Sequence, residues 1–414
     1  MRTGWRSLLL AYGITSTIES IGVSQIFAYL PLRLREVGLP EADIPVFTGV
    51  FTSLIFVFGI LLVPFWGVWA DKYSRRAVIV RSAVVEAVVF AAVALAREPW
   101  QLAGALLLTG LQLGNTGVML AALRDVTPPH RIGTMSALFG ATSPLGFAVG
   151  PVIAGLMIDG LGLSLTAVFW TSAALSAAIV GVLLFGTAEI RPEVVPSGRV
   201  VTLARAAVAG VLRDAGVRRL FTVFGIAILA NQMFRPFLPI LVEAIHGTGA
   251  GLASAIALVT GTAALVGALV SPLSGPIGDR VGFRPVLAVA LVAGGVAVGL
   301  MPLATGVLLL AALAAVYAAF QAAVQAMMFS LIATEAPPER RSATLNLVLL
   351  PLYVAGIIGP SLGALTVTFT GVGGVFPAAG IVFVAGGLGI AGVLGRLRTR
   401  RRRAQDETPS TSIR

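Results

Sequence analysis

An all-α membrane protein of twelve transmembrane helices, built as two six-helix bundles, is what three observations predict. The 414-residue chain is 57% hydrophobic and only 11% charged, whereas a water-soluble domain carries about 25% charged residues. Most of its surface must therefore face lipid. Apolar runs of about 20 residues, the length that crosses a bilayer, recur from end to end. The landmarks of the first half then return in the second at nearly constant distance, the mark of a machine made of two similar halves.

The runs place spans near 7–30, 44–69, 77–97, 100–122, 134–158 and 164–186, then 219–243, 250–274, 285–303, 306–330, 342–367 and 372–395. Residues 1–186 form an N-terminal bundle, 187–218 a linker, 219–396 a C-terminal bundle and 397–414 a basic tail. An even number of crossings puts both termini on one side. Twenty-five of the 29 lysines and arginines fall on that side, against Arg33, Arg35 and Arg97 on the other, with Arg235 inside a span. This bias makes that side, with both termini and the linker, the cytoplasmic face of a bacterial-type inner membrane. Arg400 to Arg403 lie next to the membrane, where they attract anionic lipid or anchor the orientation. The apolar run after Arg6 is too long for a cleavable leader and continues into further spans.

Cysteine is absent, and the two histidines, His130 and His246, fall in predicted loops. Thiolate chemistry, metal cages and cofactor ligation thus have no side chains to work with, and clustered catalytic groups are missing; neither an enzyme nor a cofactor or metal is expected. The net charge of +11 sits at one membrane face, so it does not read as a nucleic-acid footprint.

The repeat centres on a turn between the second and third spans, Gly67-x-x-x-Asp71-Lys72-x-Ser74-x-Arg76. Its copy between the eighth and ninth is Gly275-x-x-x-Asp279-Arg280-x-Gly282-x-Arg284, 208 residues on. Leu30-Pro31 returns as Leu238-Pro239, Pro128-Pro129-His130-Arg131 as Pro337-Pro338-Glu339-Arg340, and Gly150-Pro151 as Gly359-Pro360. Six spans per half give the halves one membrane orientation, related by an axis along the membrane normal, with a cavity between them.

These turns resemble the signature of the major facilitator superfamily, with Ser74 standing where that signature has its second glycine. The resemblance covers the chain from first span to twelfth and implies that family's fold and alternating access. Glu19-x-x-Gly22 followed by Leu30-Pro31 is similar to the first span of tetracycline-type proton antiporters, with Glu19 in place of their aspartate. Gly146-x-x-x-Gly150-Pro151-x-x-x-Gly155 resembles the fifth-span signature of drug exporters of the drug/proton antiporter branch. Those exporters carry an arginine in the fourth span; none lies between Pro99 and Leu123 here.

Four groups of residues are candidates for function. In the turns, Gly67, Asp71, Lys72, Arg76, Asp279, Arg280 and Arg284 are expected to form a cytoplasmic gate. Arg76 would pair with Asp125 at the end of the fourth span, and Glu335 holds the corresponding place after the tenth. Such pairs hold one face closed in one state and break in the other; the plainer reading is a topology signal with a tight turn. Glu19, near the middle of the first span, costs at least about 2.5 kcal/mol there if ionised. It suits a residue that exchanges a proton when the cavity opens, although a neutral glutamate bonded to a neighbouring helix is the alternative. Glu86 reads more simply as such an interhelical bond.

Arg235 either pairs with Glu19, binds an anionic group on a substrate, or snorkels outward. The amides Gln112, Asn115, Asn231, Gln232, Gln321 and Gln325 lie on helices that line the cavity in the resembled family, and amides both donate and accept. Interhelical bonding serves them equally well. The glycines and prolines at Gly146, Gly150, Pro151, Gly155, Gly359 and Pro360, with Gly356 and Gly363, are expected at the interface between bundles, where small residues let helices approach.

The expected function is secondary active transport of small organic molecules, with proton-driven export through Glu19 as the leading reading. A metabolite or sugar importer is the alternative, and a membrane scaffold without transport a remote one. The expected partners are the small-molecule substrate, protons as coupling ion and the lipid bilayer, with the chain working as a monomer.

Overall fold

The computed structural model describes residues 4–192, 195, 197–213, 215–335 and 350–406. Among these residues the chain is helical, with no strand. The first half comprises α1 (Trp5–Glu36), α2 (Ile44–Lys72), α3 (Arg75–Leu95), α4 (Pro99–Thr109), α5 (Asn115–Val126), α6 (Ile132–Gly140), α7 (Thr142–Gly155) and α8 (Leu165–Gly186). A short helix, α9 (Val200–Arg213), lies in the linker. The second half comprises α10 (Ala215–Phe234), α11 (Leu238–His246), α12 (Leu252–Val281), α13 (Phe283–Leu300), α14 (Val307–Glu335) and α15 (Leu350–Asp406). Among the described residues nine helical stretches are long and apolar enough to cross a membrane. One of them holds two expected spans, because α15 breaks at Gly371, whose φ of 70° lies in the left-handed region that glycine alone enters freely. With α1, and with α4 and α5 taken as one interrupted crossing, the described helices are consistent with the twelve expected spans, of which the start of the eleventh, 342–349, lies outside the described residues.

That interruption differs from the expected continuous fourth span. The segment Gly110-Leu-Gln-Leu-Gly114 unwinds at mid-depth, and Gly114 adopts φ 98°. Gly110 packs so closely on α2 that a Cβ there would stand 2.8 Å from Phe58 Cβ and 3.0 Å from the Gly59 nitrogen. Hydropathy could not reveal this, because the segment is nearly as apolar as a helix.

Among the described residues the two halves are joined at one end only. The main apolar core runs through both, from Phe27, Phe51 and Phe56 to Phe237, Ile256 and Tyr353. A second core, around Leu8, Tyr12, Ile79, Met119, Phe139 and Leu183, draws only on the first half. It lies at the end that carries the repeated turns.

At the opposite end a dense seal crosses the interface. Gly49 of α2 faces the Pro360 carbonyl and Ala364, and Gly155 faces Ser254 and Ala257. Tyr29 Oη lies 2.9 Å from the Pro151 carbonyl and 3.0 Å from that of Ala253, and can donate to either. The Asp159 carboxylate accepts from the backbone of Gly251 (3.3 Å) and Ser254 (2.6 Å), the favoured place for an anion at a helix N-terminus. Arg35 pairs with Glu243 at 2.9 Å. These two stand at the same offset, 208 residues, as the repeat itself. A residue can touch its own repeat mate only near the axis that relates the halves. Arg35 also donates to Glu41 and holds that carboxyl below its ordinary value. The support from Glu41 is therefore full at neutral pH and fades only as pH falls through the depressed value.

The glycine sets correct one expectation. Gly146 and Gly150 pack α7 on α1 within the first half, and Gly359 and Gly363 pack α15 on α10 within the second. Only Gly155 and Gly356, the latter against Phe56, face across the interface. A Cβ on Gly150 would stand 2.6 Å from the Ile21 carbonyl oxygen, a backbone atom with little freedom to yield. Gly150→Val is therefore expected to destabilise the protein by about 1–3 kcal/mol through overpacking, read as a lowered unfolding temperature in detergent. Gly104→Ala, at a glycine with open space around it, is the control that should not move.

Candidate functional site

The turn after α2 is built around Arg75 rather than the expected Arg76. Arg75 Nε donates to Asp71 Oδ1 at 2.8 Å and Nη1 to Asp125 Oδ2 at 2.5 Å. The Arg75 side chain is 5% exposed and its two partners about 40%, so a buried cation is held between two half-wet anions. Arg76 points elsewhere. It donates to the carbonyls of Leu183 (3.1 Å) and Leu184, capping the last turn of α8 as a cation should. Glu189, the sole acid between Asp159 and Arg191, accepts from the Arg75 backbone at 2.9 Å and from the Ser74 hydroxyl. Lys72 donates to the Gly198 carbonyl at 2.5 Å and ties the turn to the linker.

Ser74 has a physical reason for replacing glycine. Its φ of −163° is extended backbone open to any residue, and its hydroxyl accepts from Ala77 N as the N-cap of α3. In the second copy Gly282 has φ 100°, so glycine is required there. Asp279 and Arg280 are exposed. Gly67 and Gly275 have open space where a Cβ would go, as expected of turns not pressed against the other half. The side chain of Glu335, and Pro337 to Arg341, lie outside the described residues.

The mid-membrane candidates gather at the break between α4 and α5. Glu19 Oε1 accepts from Asn115 Nδ2 at 2.6 Å and from Ser82 Oγ at 3.4 Å. Ser82 also lies 2.7 Å from the Gln112 carbonyl, one of those freed by the break. Arg81, which the loop assignment had placed outside the membrane, stands two turns inside α3. Its Nη2 donates to the carbonyls of Gln112 (3.3 Å) and Leu113 (3.2 Å), and its guanidinium lies 3.9 Å from the centre of the Trp66 ring. Arg81 thus brings a guanidinium from the third helix to the backbone of the fourth crossing. The signal was an arginine and a glutamate, Arg81 and Glu86, inside the apolar run that follows Arg76. Non-helical backbone at this depth is tolerated where protein groups satisfy it, and Arg81 and Ser82 do so.

In the second half Arg235 sits on a short turn between α10 and α11. It does not pair with Glu19. Its guanidinium lies 4.4 Å from the Phe27 ring and 4.7 Å from that of Phe147, both in the first half. Asn231 donates to the Tyr317 hydroxyl. Gln232 is buried against Gly359 rather than in a cavity. Gln321 is partly buried, its amide oxygen enclosed without a hydrogen-bond partner among the described residues, while Gln325 is exposed.

Two helical halves that meet at one end among the described residues, with a discontinuous helix and buried polar groups between its pieces, are the architecture of a two-bundle membrane protein. The chain belongs to the Major Facilitator Superfamily, whose family model matches residues 8–267 and 220–413. Among curated relatives, the multidrug resistance protein MdtG of Enterobacter lignolyticus (strain SCF1) is 28% identical over 267 residues, covering 63% of each chain. MdtG of Proteus mirabilis (strain HI4320) is 28% identical over 63% of this chain and 65% of its own. The chain thus spans less than two thirds of the length of these relatives. Among solved structures, the human organic anion transporter MFSD10 (TETRAN) superposes with a TM-score of 0.70 at 17% identity, over 94% of this chain and 100% of that one. The nucleoside transporter NupG superposes with a TM-score of 0.74 at 17% identity, over 93% and 98%. At these identities the structures speak for the fold alone.

Proposed function

We propose that this chain is a secondary active exporter of small organic molecules, driven by protons through Glu19 and working by alternating access as a monomer. The observation that carries the reading is the seat of Glu19. A carboxyl is held at mid-depth by Asn115 and Ser82, against a broken helix, where a change in its charge would reach backbone as well as side chains. The multidrug resistance relatives support export. The absence of an arginine from the fourth span favours an importer, but Arg81 of α3 supplies a guanidinium at the fourth crossing.

With the positive-inside bias, the sealed end faces the periplasm and the turn end the cytoplasm. The arrangement is then open to the cytoplasm, and the Arg75 and Arg76 clusters are the half-gate that α15 and α12 would meet in the other state. Arg235, between Phe27 and Phe147, and the Asn231–Tyr317 pair line the substrate path. Inverted membrane vesicles, with a panel of fluorescent dyes supplied outside, test the reading. An imposed proton gradient should drive dye accumulation, and Glu19→Gln should reduce the gradient-dependent part at least about 100-fold, as loss of a positioned proton-transfer group does. Accumulation that survives in Glu19→Gln would remove Glu19 from the coupling.

A further inference from the structure

A second carboxyl lies beside Glu19, and the polar groups around the two do not balance unless a proton is shared. Glu86 is 1% exposed, on α3, one turn beyond Ser82. Its Oε1 is enclosed without a hydrogen-bond partner among the described residues. Glu19 lies within electrostatic reach of both Glu86 and Arg81. Among the described residues Arg81 spends only Nη2 on the freed carbonyls, its Nε and Nη1 being enclosed without a hydrogen-bond partner, and it stands closer than 4.0 Å to neither acid. Among those residues the charges that act on this cluster are its own three. α2 contributes Trp66, α4 and α5 contribute Gln112 and Asn115, and α8, which packs on α3, contributes only serines such as Ser172 and Ser176.

We propose that Glu19, Glu86 and Arg81 are one proton site, in which two carboxyls share a single exchangeable proton against one guanidinium. The charge count leads to this. Two carboxylates and one guanidinium carry a net charge of about −1, and one proton brings the cluster to neutrality, the state that low-dielectric surroundings favour. Two interacting acids lose their protons as a pair rather than singly. Arg81 is the positioning residue. In the neutral cluster it leans on the carbonyls of Gln112 and Leu113; when the proton leaves, its two idle nitrogens are the donors that turn to the carboxylates. Turning the guanidinium toward the carboxylates draws Nη2 off the carbonyls of Gln112 and Leu113, which couples the proton to the irregular backbone of the fourth crossing. The stoichiometry that follows is one proton per cycle. The proposal rests on the reading that Glu19 exchanges a proton, and goes beyond it in the partner acid, the cation and the count.

Dicyclohexylcarbodiimide, which adds to protonated carboxyls in apolar surroundings, reads the site without any substrate. The full chain in lipid nanodiscs is titrated with pH, and modification of Glu19 and Glu86 is quantified by mass spectrometry. In the wild type the two sites together should take up about one label per chain at neutral pH. In Glu19→Gln the remaining acid and Arg81 are neutral without a proton, so Glu86 labelling at neutral pH should fall at least about tenfold. In Arg81→Gln labelling should persist to a pH at least about one unit higher than in the wild type, the effect of deleting one nearby opposite charge, and Arg81→Lys should restore the wild-type profile. Glu86 labelling unchanged in Glu19→Gln, which keeps the shape of the side chain, would overturn the shared proton. An Arg81→Gln profile that overlays the wild type would overturn the counter-ion. Both readouts stand apart from vesicle transport, so a chain that moves no dye but labels as described loses the export reading and keeps the site.

Discussion

Replacing Ser53 and Ser361 with cysteine should lock the two halves together by a disulfide at the sealed end. The two hydroxyls lie 2.9 Å apart, on α2 and α15, and Ser53 Oγ lies 2.8 Å from the Ile357 carbonyl. Gly49 and Gly356, one turn away on either side, let the two helices approach this closely. A disulfide needs Cβ atoms about 3.8 Å apart, and two hydroxyls in contact on closely packed helices leave only a small shift of the helices to reach that separation. The natural chain has no cysteine, so the engineered bond has no competitor. The linker offers trypsin exposed arginines at Arg199 and Arg205. After cleavage there, the two halves should run as one band without reductant and as two with it. Because the bond closes a loop of more than 300 residues, it should also raise the unfolding temperature, with about 5–6 kcal/mol of stabilisation as the entropic limit. Dye accumulation in vesicles should be lost on oxidation and return on reduction. Halves that separate without reductant would show that the sealed arrangement is not the one the protein occupies at rest.

The seal is built to hold without being costly to open. Its rim is ionic: Arg35 is shared between Glu41 and the more enclosed Glu243, and an exposed pair such as that with Glu41 contributes about 0.2–1 kcal/mol. Its centre is made of glycines facing backbone, so the surfaces slide apart with few interlocked side chains. At the turn end the Arg75 network closes only on the first half, leaving its outer surface free for a different partner in the opposite state. The asymmetry between the ends follows from where glycine stands in each helix. Gly49 and Gly155 lie near the sealed end, whereas Gly67 and Gly275 near the turn end have nothing within 4 Å of a Cβ.

The same contrast marks what could be read in advance. Span positions, the two-fold repeat and the family followed from hydropathy and from the spacing of a few glycines, prolines and charges, because burial in lipid constrains composition directly. The break at Gly110–Gly114 did not, since hydropathy reports side-chain composition and is blind to backbone. Placing Arg81 in a loop was a consequence: counting charges by face assigned it to the cytoplasm, yet two turns of helix carry it to the depth of Gln112. Pairing Arg76 with Asp125 failed for a geometric reason. Adjacent positions on a helix point about 100° apart, and only the packing of α3 against both α5 and α8 decides which of Arg75 and Arg76 faces which neighbour. Arg235 beside Phe27 and Phe147 was likewise a matter of helix faces, which one sequence leaves open.

The assignment of Arg75 as the centre of the turn carries an energetic asymmetry that distinguishes it from a surface ion pair. In Asp71→Asn/Asp125→Asn the guanidinium stays buried, 5% exposed, with both of its carboxylate partners gone. An uncompensated buried charge costs about 3–5 kcal/mol, so this double variant should be the more damaged. In Arg75→Gln the partners left behind are carboxylates about 40% exposed, which water can rehydrate, and the loss is that of two charged hydrogen bonds reduced by solvent, about 2 kcal/mol. Arg76→Gln gives up only the cap on α8, about 1 kcal/mol. Unfolding temperatures in detergent, with hydrogen exchange of residues 71–80 and 183–190 as the local readout, should rank the three in that order. Equal losses from removing the cation and removing the anions would mean that Arg75 is already solvated, and that the turn is held by its backbone cap at Ser74 and Glu189 instead.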